Sequence, residues 1–321
     1  MATCSVLAKE GGLRTEVPLA EALVAARDGT AAWIDLESPT PEDLAAVGTT
    51  LRLHELTVED LTGEEVPPKL EDFEDHSFLL FKAHPEKTVN GGFDALGIGC
   101  VLSKGLLLTV HPAPVGAIRA TLADARRGPA LLRQGPAFIL SQILDRIVDS
   151  YAEALDTLED SVEDLEETLS LRFDRNALRR LFTGRKSLIH LRRRVSRQRE
   201  IAQTLSDRPH PLIPVKMRVY FRNLYDHLIR IDERLVSNRD LLQGILETYL
   251  AMESRRTNDV IKTLSILAAV MLPLTFVTGL YGTNFAHLPG KDSPWGFWGF
   301  IGVLVTMAAS TAWYYRRRGW Y

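Results

Sequence analysis

Charged side chains are spread along residues 1–262 and almost absent from residues 263–315. Thr263 to Leu280 reads TLSILAAVMLPLTFVTGL, eighteen residues without an ionisable group. At a rise of about 1.5 Å per residue, such a helix covers most of a hydrocarbon layer about 30 Å thick. Pro273 falls inside it, and membrane helices tolerate this because neighbouring groups satisfy the freed carbonyl. Trp295 to Tyr315 is a second uncharged stretch of spanning length. Two such stretches in succession predict a hairpin of membrane helices rather than the core of a soluble protein.

Ahead of the first span the pattern changes period but not direction. From Val215 to Met271 there is no proline and one glycine, Gly244, and apolar positions recur at helical spacing straight into the span. The spacing predicts one helix from about Pro214 to Gly279, roughly 100 Å long. A rod of that length needs a bundle or an oligomer around it. Pro136 to about Leu205 also reads as helix. There Leu155, Leu158, Val162, Leu165 and Leu169 form one apolar stripe beneath Glu153, Asp156, Glu159, Asp160, Glu163, Asp164, Glu166 and Glu167. That acidic face either gathers divalent cations loosely through oxygen ligands, or is a solvated surface paired with the basic run Arg192–Arg199.

Residues 1–130 show the shorter periods of a mixed α/β domain. Ala32–Leu36, Ser77–Lys82, Leu96–Leu102 and Leu106–Val110 are strand-like runs bounded by turn residues. Thr40 as N-cap, Pro41 at the first helical position and Asp43 two residues on predict a capped helix over Pro41–Leu51. Asn90-Gly91-Gly92 and Ser103-Lys104-Gly105 read as hairpin turns. The fold class expected is therefore an α+β cytosolic domain, a mixed sheet with helices, then a very long stalk helix continuing into a two-helix transmembrane hairpin. Its segments are a cytosolic α/β domain at 1–130, a helical hairpin at 131–212 and a stalk at 213–262. The first span follows at 263–281, an extracytoplasmic loop at 282–294, the second span at 295–315 and a basic cytosolic tail at 316–321.

Composition adds exclusions. A net charge of −3 argues against nucleic acid as a partner. Two cysteines, Cys4 and Cys100, are too few for a disulfide framework or a cysteine-rich zinc site, and suit a reduced compartment. The opening MATCSVLAKEGG has no signal-peptide pattern, so a cytosolic start is expected. Gly184-Arg185-Lys186-Ser187 resembles the end of a phosphate loop but sits in a helical stretch, and it reads as helix surface. No nucleophile–base pair or cofactor motif is legible, so an enzyme is not expected. Arg255, Arg256 and Lys262 precede the first span and Arg316, Arg317 and Arg318 follow the second, whereas the loop between holds only Lys291, Asp292 and His287. The positive-inside rule puts both termini in the cytoplasm of a multi-pass protein of the plasma (inner) membrane. Trp295 and Trp298 at one end, and Trp313, Tyr314, Tyr315, Trp320 and Tyr321 at the other, suit two interfacial aromatic belts.

Thr257–Asn284, TNDVIKTLSILAAVMLPLTFVTGLYGTN, resembles the CorA family of magnesium transporters, whose members show a TNxVMKxLT opening, a MPLTF core and a YGMN ending. Tyr220–Asp226 (YFRNLYD) and Pro68–Phe73 (PKLEDF) are similar to family segments too. The resemblance implies a funnel-shaped homopentamer conducting Mg2+, with Co2+ or Ni2+ as further cargo, through a pore lined by the first span. The pore-facing positions it implies are Asn258, Ile261, Leu264, Ala268, Leu272, Thr275 and Gly279, whose steps of three and four keep them on one helical face. It also implies an outer mouth at Gly282, Thr283 and Asn284. The Asn284 amides would hold the waters of a hydrated ion, with Thr275 and Asn258 repeating this below, and Leu272 and Leu264 gating by dewetting.

Three departures accompany the resemblance. Thr283 stands where magnesium-transporting members carry Met, and Ala286, His287 and Gly290 replace acidic residues after the motif. These bring in the zinc-transporting ZntB-like branch, with proton coupling, as an alternative. Asn223 stands where some members place an Asp in a regulatory intersubunit metal site, for which Glu86, Asp226, Glu233 and Glu247 are the substitutes available. A non-conducting membrane-anchored metal sensor or scaffold is the third reading.

Overall fold

The computed structural model describes residues 3–8, 12–63, 66–83, 95–127, 134–171, 175–283, 288–290 and 293–320. They divide into two compact units, Met1–Gln243 and Gly244–Tyr321.

The first unit is built on seven strands: β1 (Thr3–Ala8), β2 (Leu13–Arg14), β3 (Ala31–Glu37), β4 (Lys69–Asp72), β5 (His76–Ala83), β6 (Leu96–Ser103) and β7 (Leu106–His111). They lie in the order β2-β1-β3-β7-β6-β5-β4. Only the central β3–β7 pair is parallel, with Trp33 opposite Leu107 and Asp35 opposite Thr109. The sheet is mixed because the chain leaves β3 through helices and returns beside it only after the β4–β7 meander. Ser103-Lys104-Gly105 makes the predicted turn, with Gly105 at φ 90°, a conformation that costs a glycine little. Asn90-Gly91-Gly92 lies outside the described residues.

Both faces of the sheet are covered, so its strands read as continuous apolar runs rather than strict alternation. Cys4, Val6, Ile34, Leu36, Leu80 and Leu108 face one way, against Ala22 and Leu23 of α1 (Leu19–Arg27) and Leu44 and Val47 of α2 (Pro41–Leu51). The capping box at Thr40 and Asp43 forms in both directions and fixes where α2 starts. Leu7, Trp33, Phe81, Ile98 and Leu107 face the other way. A 36-residue helix, numbered α5 below, packs over that side. β1, β2, β4 and the helices α1, α3 (Glu55–Thr62) and α4 (Gly116–Arg127) were not predicted. β2 and β4 are only two and four residues long, too short to show a period.

The helices α5 (Pro136–Leu171) and α6 (Arg175–Asp207) follow one another and pack together. Leu155, Val162, Leu165 and Leu169 of the stripe are buried, and Leu158 is half-buried. The Gly184–Ser187 segment lies within α6. Tyr151 of α5 and Gln198 of α6 both donate to the Lys82 carbonyl, pinning the hairpin to the end of β5. Two arginines of the basic run turn to another partner. Arg192 Nε and Arg199 Nη1 reach instead to Asp232 on the next helix, at 3.2 and 2.9 Å. The acidic face meets Arg234, which binds Asp156 Oδ1 at 2.6 Å and Glu159 Oε2 at 2.8 Å. That guanidinium, aided by Asn238, holds the Glu159 carboxyl below its usual range.

After a single 3-10 turn at Val215–Met217 comes α7, Arg218–Tyr281, 64 residues with Pro273 inside. It belongs to both units. In the second unit it is joined by α8, Gly296–Arg317. These two helices carry the apolar windows long enough to cross a membrane, and almost nothing of those windows is buried within the chain.

Candidate functional site

The second unit is short of internal partners, and that shortage defines the site. On α7, Ile266 is buried, and Ala269, Val270, Pro273, Leu274 and Val277 are half-buried. This stripe faces α8. Asn258, Ile261, Leu264, Ala268, Leu272, Thr275 and Gly279 are all exposed. At 3.6 residues per turn, the positions from Leu264 to Gly279 lie roughly half a turn around the helix from the stripe on α8. Leu264 is 65% and Leu272 72% exposed, and a Cβ placed at Gly279 would meet no atom within 4 Å. A span with two bare leucines, a threonine and a glycine along one face calls for further helices or water there, since lipid gains nothing from the polar members.

At the far end of α7 the backbone closes with Gly282 N–H donating to the Thr278 carbonyl at 2.9 Å. Thr283 Oγ1 donates to the Leu280 carbonyl at 2.6 Å, so its proton caps the helix and its lone pairs remain for another donor. Tyr281 ties the loop to both helices. Its hydroxyl donates to the Pro289 carbonyl at 3.0 Å, and its ring stacks at a tilt on Phe300 of α8, 4.8 Å between centroids. Gly290, at φ 81°, passes so close to Gly296 that a Cβ there would stand 1.9 Å from the Gly290 oxygen. Backbone on both sides leaves no soft atom to yield. Gly296→Ala is therefore expected to cost about 1–3 kcal/mol as overpacking; its melting temperature in detergent should fall while Gly299→Ala, which meets nothing within 4 Å, leaves it unchanged.

Asn284, Ala286 and His287 lie outside the described residues, as does Glu86. Asn223 and Asp226 are both exposed, one turn apart on α7 in the first unit, and Glu233 is exposed there too. Glu247 is exposed in the second unit. Among the described residues no three His, Cys, Asp or Glu side chains gather as metal ligands would.

Two polar clusters had no sequence signal: one is buried and assembled by pairing of β3 with β7, the other is partly exposed and brings His210, beyond α6, to the β4–β5 hairpin. On the parallel pair, Trp33 Nε1 donates to Thr109 Oγ1 at 2.9 Å, and Thr109 in turn donates to Asp35. His111 Nε2 faces Asp35 Oδ1 at 3.2 Å, and its Nδ1 faces the Ala113 carbonyl at 2.7 Å. An acceptor at each ring nitrogen favours the doubly protonated, charged imidazole. Burial opposes that charge, but the Asp35 carboxylate and the Ala113 carbonyl outweigh it and raise the His111 pKa. The second cluster brings Ser77, His210 and Asp72 together, yet it is no nucleophilic relay. Leu212 N–H donates to His210 Nδ1 at 3.2 Å, so the ring proton sits on Nε2 and points at Asp72 Oδ1, 2.9 Å away. Ser77 donates to that same oxygen at 2.7 Å, leaving no base to take its proton.

Comparison with known proteins completes the picture. Residues 28–317 match the profile of a family described as CorA-like Mg2+ transporter protein. The chain is similar to a cobalt/magnesium transport protein CorA of Thermotoga maritima, 28% identical over 94% of this chain and 86% of that protein. It is similar to a zinc transport protein ZntB of Pectobacterium carotovorum, 26% identical over 90% of this chain and 87% of that protein. Its fold matches the complete structure of the CorA magnesium transporter of Methanocaldococcus jannaschii with a TM-score of 0.85, covering 100% of this chain and 99% of that one at 23% identity.

Proposed function

Because the chain belongs to the family of CorA-like Mg2+ transporters and is a membrane transporter of divalent metal ions rather than an enzyme, we propose that its physiological cargo is Mg2+. In this reading the chains assemble as a homopentamer, and the exposed α7 stripe from Asn258 to Gly279 lines a central path. The observation that carries it is the position of that stripe, bare and opposite the face that α8 covers. Mg2+ gives up its waters reluctantly, so a path of amide, hydroxyl and backbone oxygens that holds the hydrated ion suits it better than a ring of carboxylates. Thr275 and Asn258 supply such oxygens on α7, and Asn284 supplies them at the mouth. Leu264 and Leu272 are the apolar rings that empty of water when the path is shut. With both termini in the cytoplasm, as the basic flanks support, a negative-inside potential drives the dication inward, worth about 4.6 kcal/mol per 100 mV for two charges.

One observation favours a second reading, in which Zn2+ is carried. Thr283 replaces the methionine of the magnesium-type motif, and its hydroxyl is folded onto the Leu280 carbonyl. Parallel uptake of Mg2+ and Zn2+ into proteoliposomes of one preparation separates the two. Entry of Mg2+ without a pH gradient is the expected result. Zn2+ uptake that needs a proton gradient, with no Mg2+ entry, overturns the proposal for the second reading. No flux of either ion from intact oligomers favours a metal sensor.

A further inference from the structure

The two membrane helices enclose a groove that their own packing leaves open. It has a volume of about 700 Å3 and runs between Thr263, Ile266, Leu267 and Val270 of α7 and Val305, Ala308, Ala309 and Ala312 of α8, with Trp320 against it. The alanines leave space that larger side chains would have closed, and Thr263 contributes the single hydroxyl among those residues. Trp320 reaches the groove because α8 ends in a tight reversal. Gly319, at φ 71°, takes the left-handed conformation. Gly319 N–H donates to the Arg316 carbonyl at 3.1 Å and Trp320 N–H to the Tyr315 carbonyl at 3.2 Å. This is the Schellman ending, whose usual apolar contact is supplied by the Tyr315 and Trp320 rings, 5.2 Å apart. The indole thus closes the groove at the basic end of the hairpin rather than extending away from it.

Charge at that end comes from both helices. Lys262 lies one turn before Ile266 on the groove side of α7, and Arg316 lies one turn beyond Ala312 on the groove side of α8. Asp259 stands 3.6 Å from Lys262, whereas Arg317 and Arg318 stand over the Trp313 and Tyr314 rings. Cations therefore outnumber the one carboxylate, above a channel whose wall is apolar apart from the Thr263 hydroxyl. An apolar slot with a cationic rim and an interfacial indole matches a molecule with a hydrocarbon tail and a negative head.

We propose that this groove seats one acyl chain of an anionic phospholipid, its phosphate held between Lys262 and Arg316. The inference rests on α7 and α8 spanning the membrane, and it adds a resident lipid to the transporter. Native mass spectrometry of the full chain, released from detergent after titration with dioleoylphosphatidylglycerol or dioleoylphosphatidylcholine, tests it. The phosphatidylglycerol adducts should be retained at least tenfold better, and the combined Lys262→Gln and Arg316→Gln substitutions should remove that preference. Ala309→Phe, which fills the slot, should lower retention of phosphatidylglycerol; if that variant does not fold, the exposed charge substitutions still decide. Equal retention of both lipids, or an unchanged preference in the charge variant, overturns the proposal. So does a change of subunit number in Ala309→Phe before lipid is added, which would mean that a second copy of the chain fills the groove. A chain that stays dispersed without detergent would instead remove the membrane reading beneath it.

Discussion

Replacing Asn284 by Ala is expected to cut Mg2+ uptake into proteoliposomes by about tenfold or more. One net hydrogen bond is worth about 1 kcal/mol, and in a ring of identical subunits the loss is repeated at every copy around one ion. A hydrated dication arriving at the mouth would lose the amide oxygens that hold its waters, and the entropy of capturing it would go largely uncompensated. The variant should still assemble, since the contacts that fix the loop ends belong to other residues. Tyr281 reaches Pro289 and Phe300, and Gly290 lies against Gly296. Fluorescent-indicator uptake, measured beside the elution volume of the detergent-solubilised oligomer, checks both halves. Unchanged flux with an unchanged elution volume would remove Asn284 from the conduction path.

The second large effect concerns folding. Asp35 is 4% exposed and accepts from Thr109 and His111 on the parallel pair. Asp35→Ala removes the carboxylate that Thr109 and His111 both face and leaves those buried groups without their partner, a change that costs about 3–5 kcal/mol when a buried pair is broken. The same pair imposes a pH dependence of known sign. The His111 pKa is raised in the folded protein, so the folded state binds the proton more tightly than the unfolded chain. That stabilisation is complete below the unfolded value of about 6.5 and is lost as pH rises through the folded value. His76 acts oppositely: burial depresses its pKa, and its contribution is lost as pH falls below about 6.5. The informative measurement is therefore a difference. Melting temperature against pH for the parent minus that for His111→Gln should decline from slightly acid to alkaline pH. A flat difference would show that the imidazole is neutral in the fold.

Much of this architecture is written locally and could be read before any coordinates. The spans announce themselves by the absence of charge, α2 by its capping box, and the α5 stripe by leucines at alternating steps of three and four. The α7 stripe came from the family resemblance, and periodicity added only that its members share one helical face. What escaped was mostly non-local. β1 is completed by β3, some thirty residues on, and β4 is four residues with mostly polar side chains, too short to show an alternation. The basic run of α6 offered no hint that Asp232 would take both Arg192 and Arg199, because matching charges on three helices leaves several pairings equally good until the apolar stripes fix the rotation of each. The Asp35 cluster is invisible for the same reason, since Trp33, Thr109 and His111 meet only once β3 and β7 are in register.

Cys4 and Cys100 sit at zero exposure on either side of the central sheet. Burial, with the nearby Asp35 charge, pushes the Cys4 thiol up to about 12 and the Cys100 thiol higher still. Only the thiolate is an effective nucleophile, so both native sulfurs are shielded twice, by sterics and by protonation. The unmodified chain is thus already a silent background for site-directed spin or fluorophore labelling. A single cysteine introduced at an exposed α7 position such as Leu264 would report alone, and distances between copies could be measured without first stripping the protein of its own thiols.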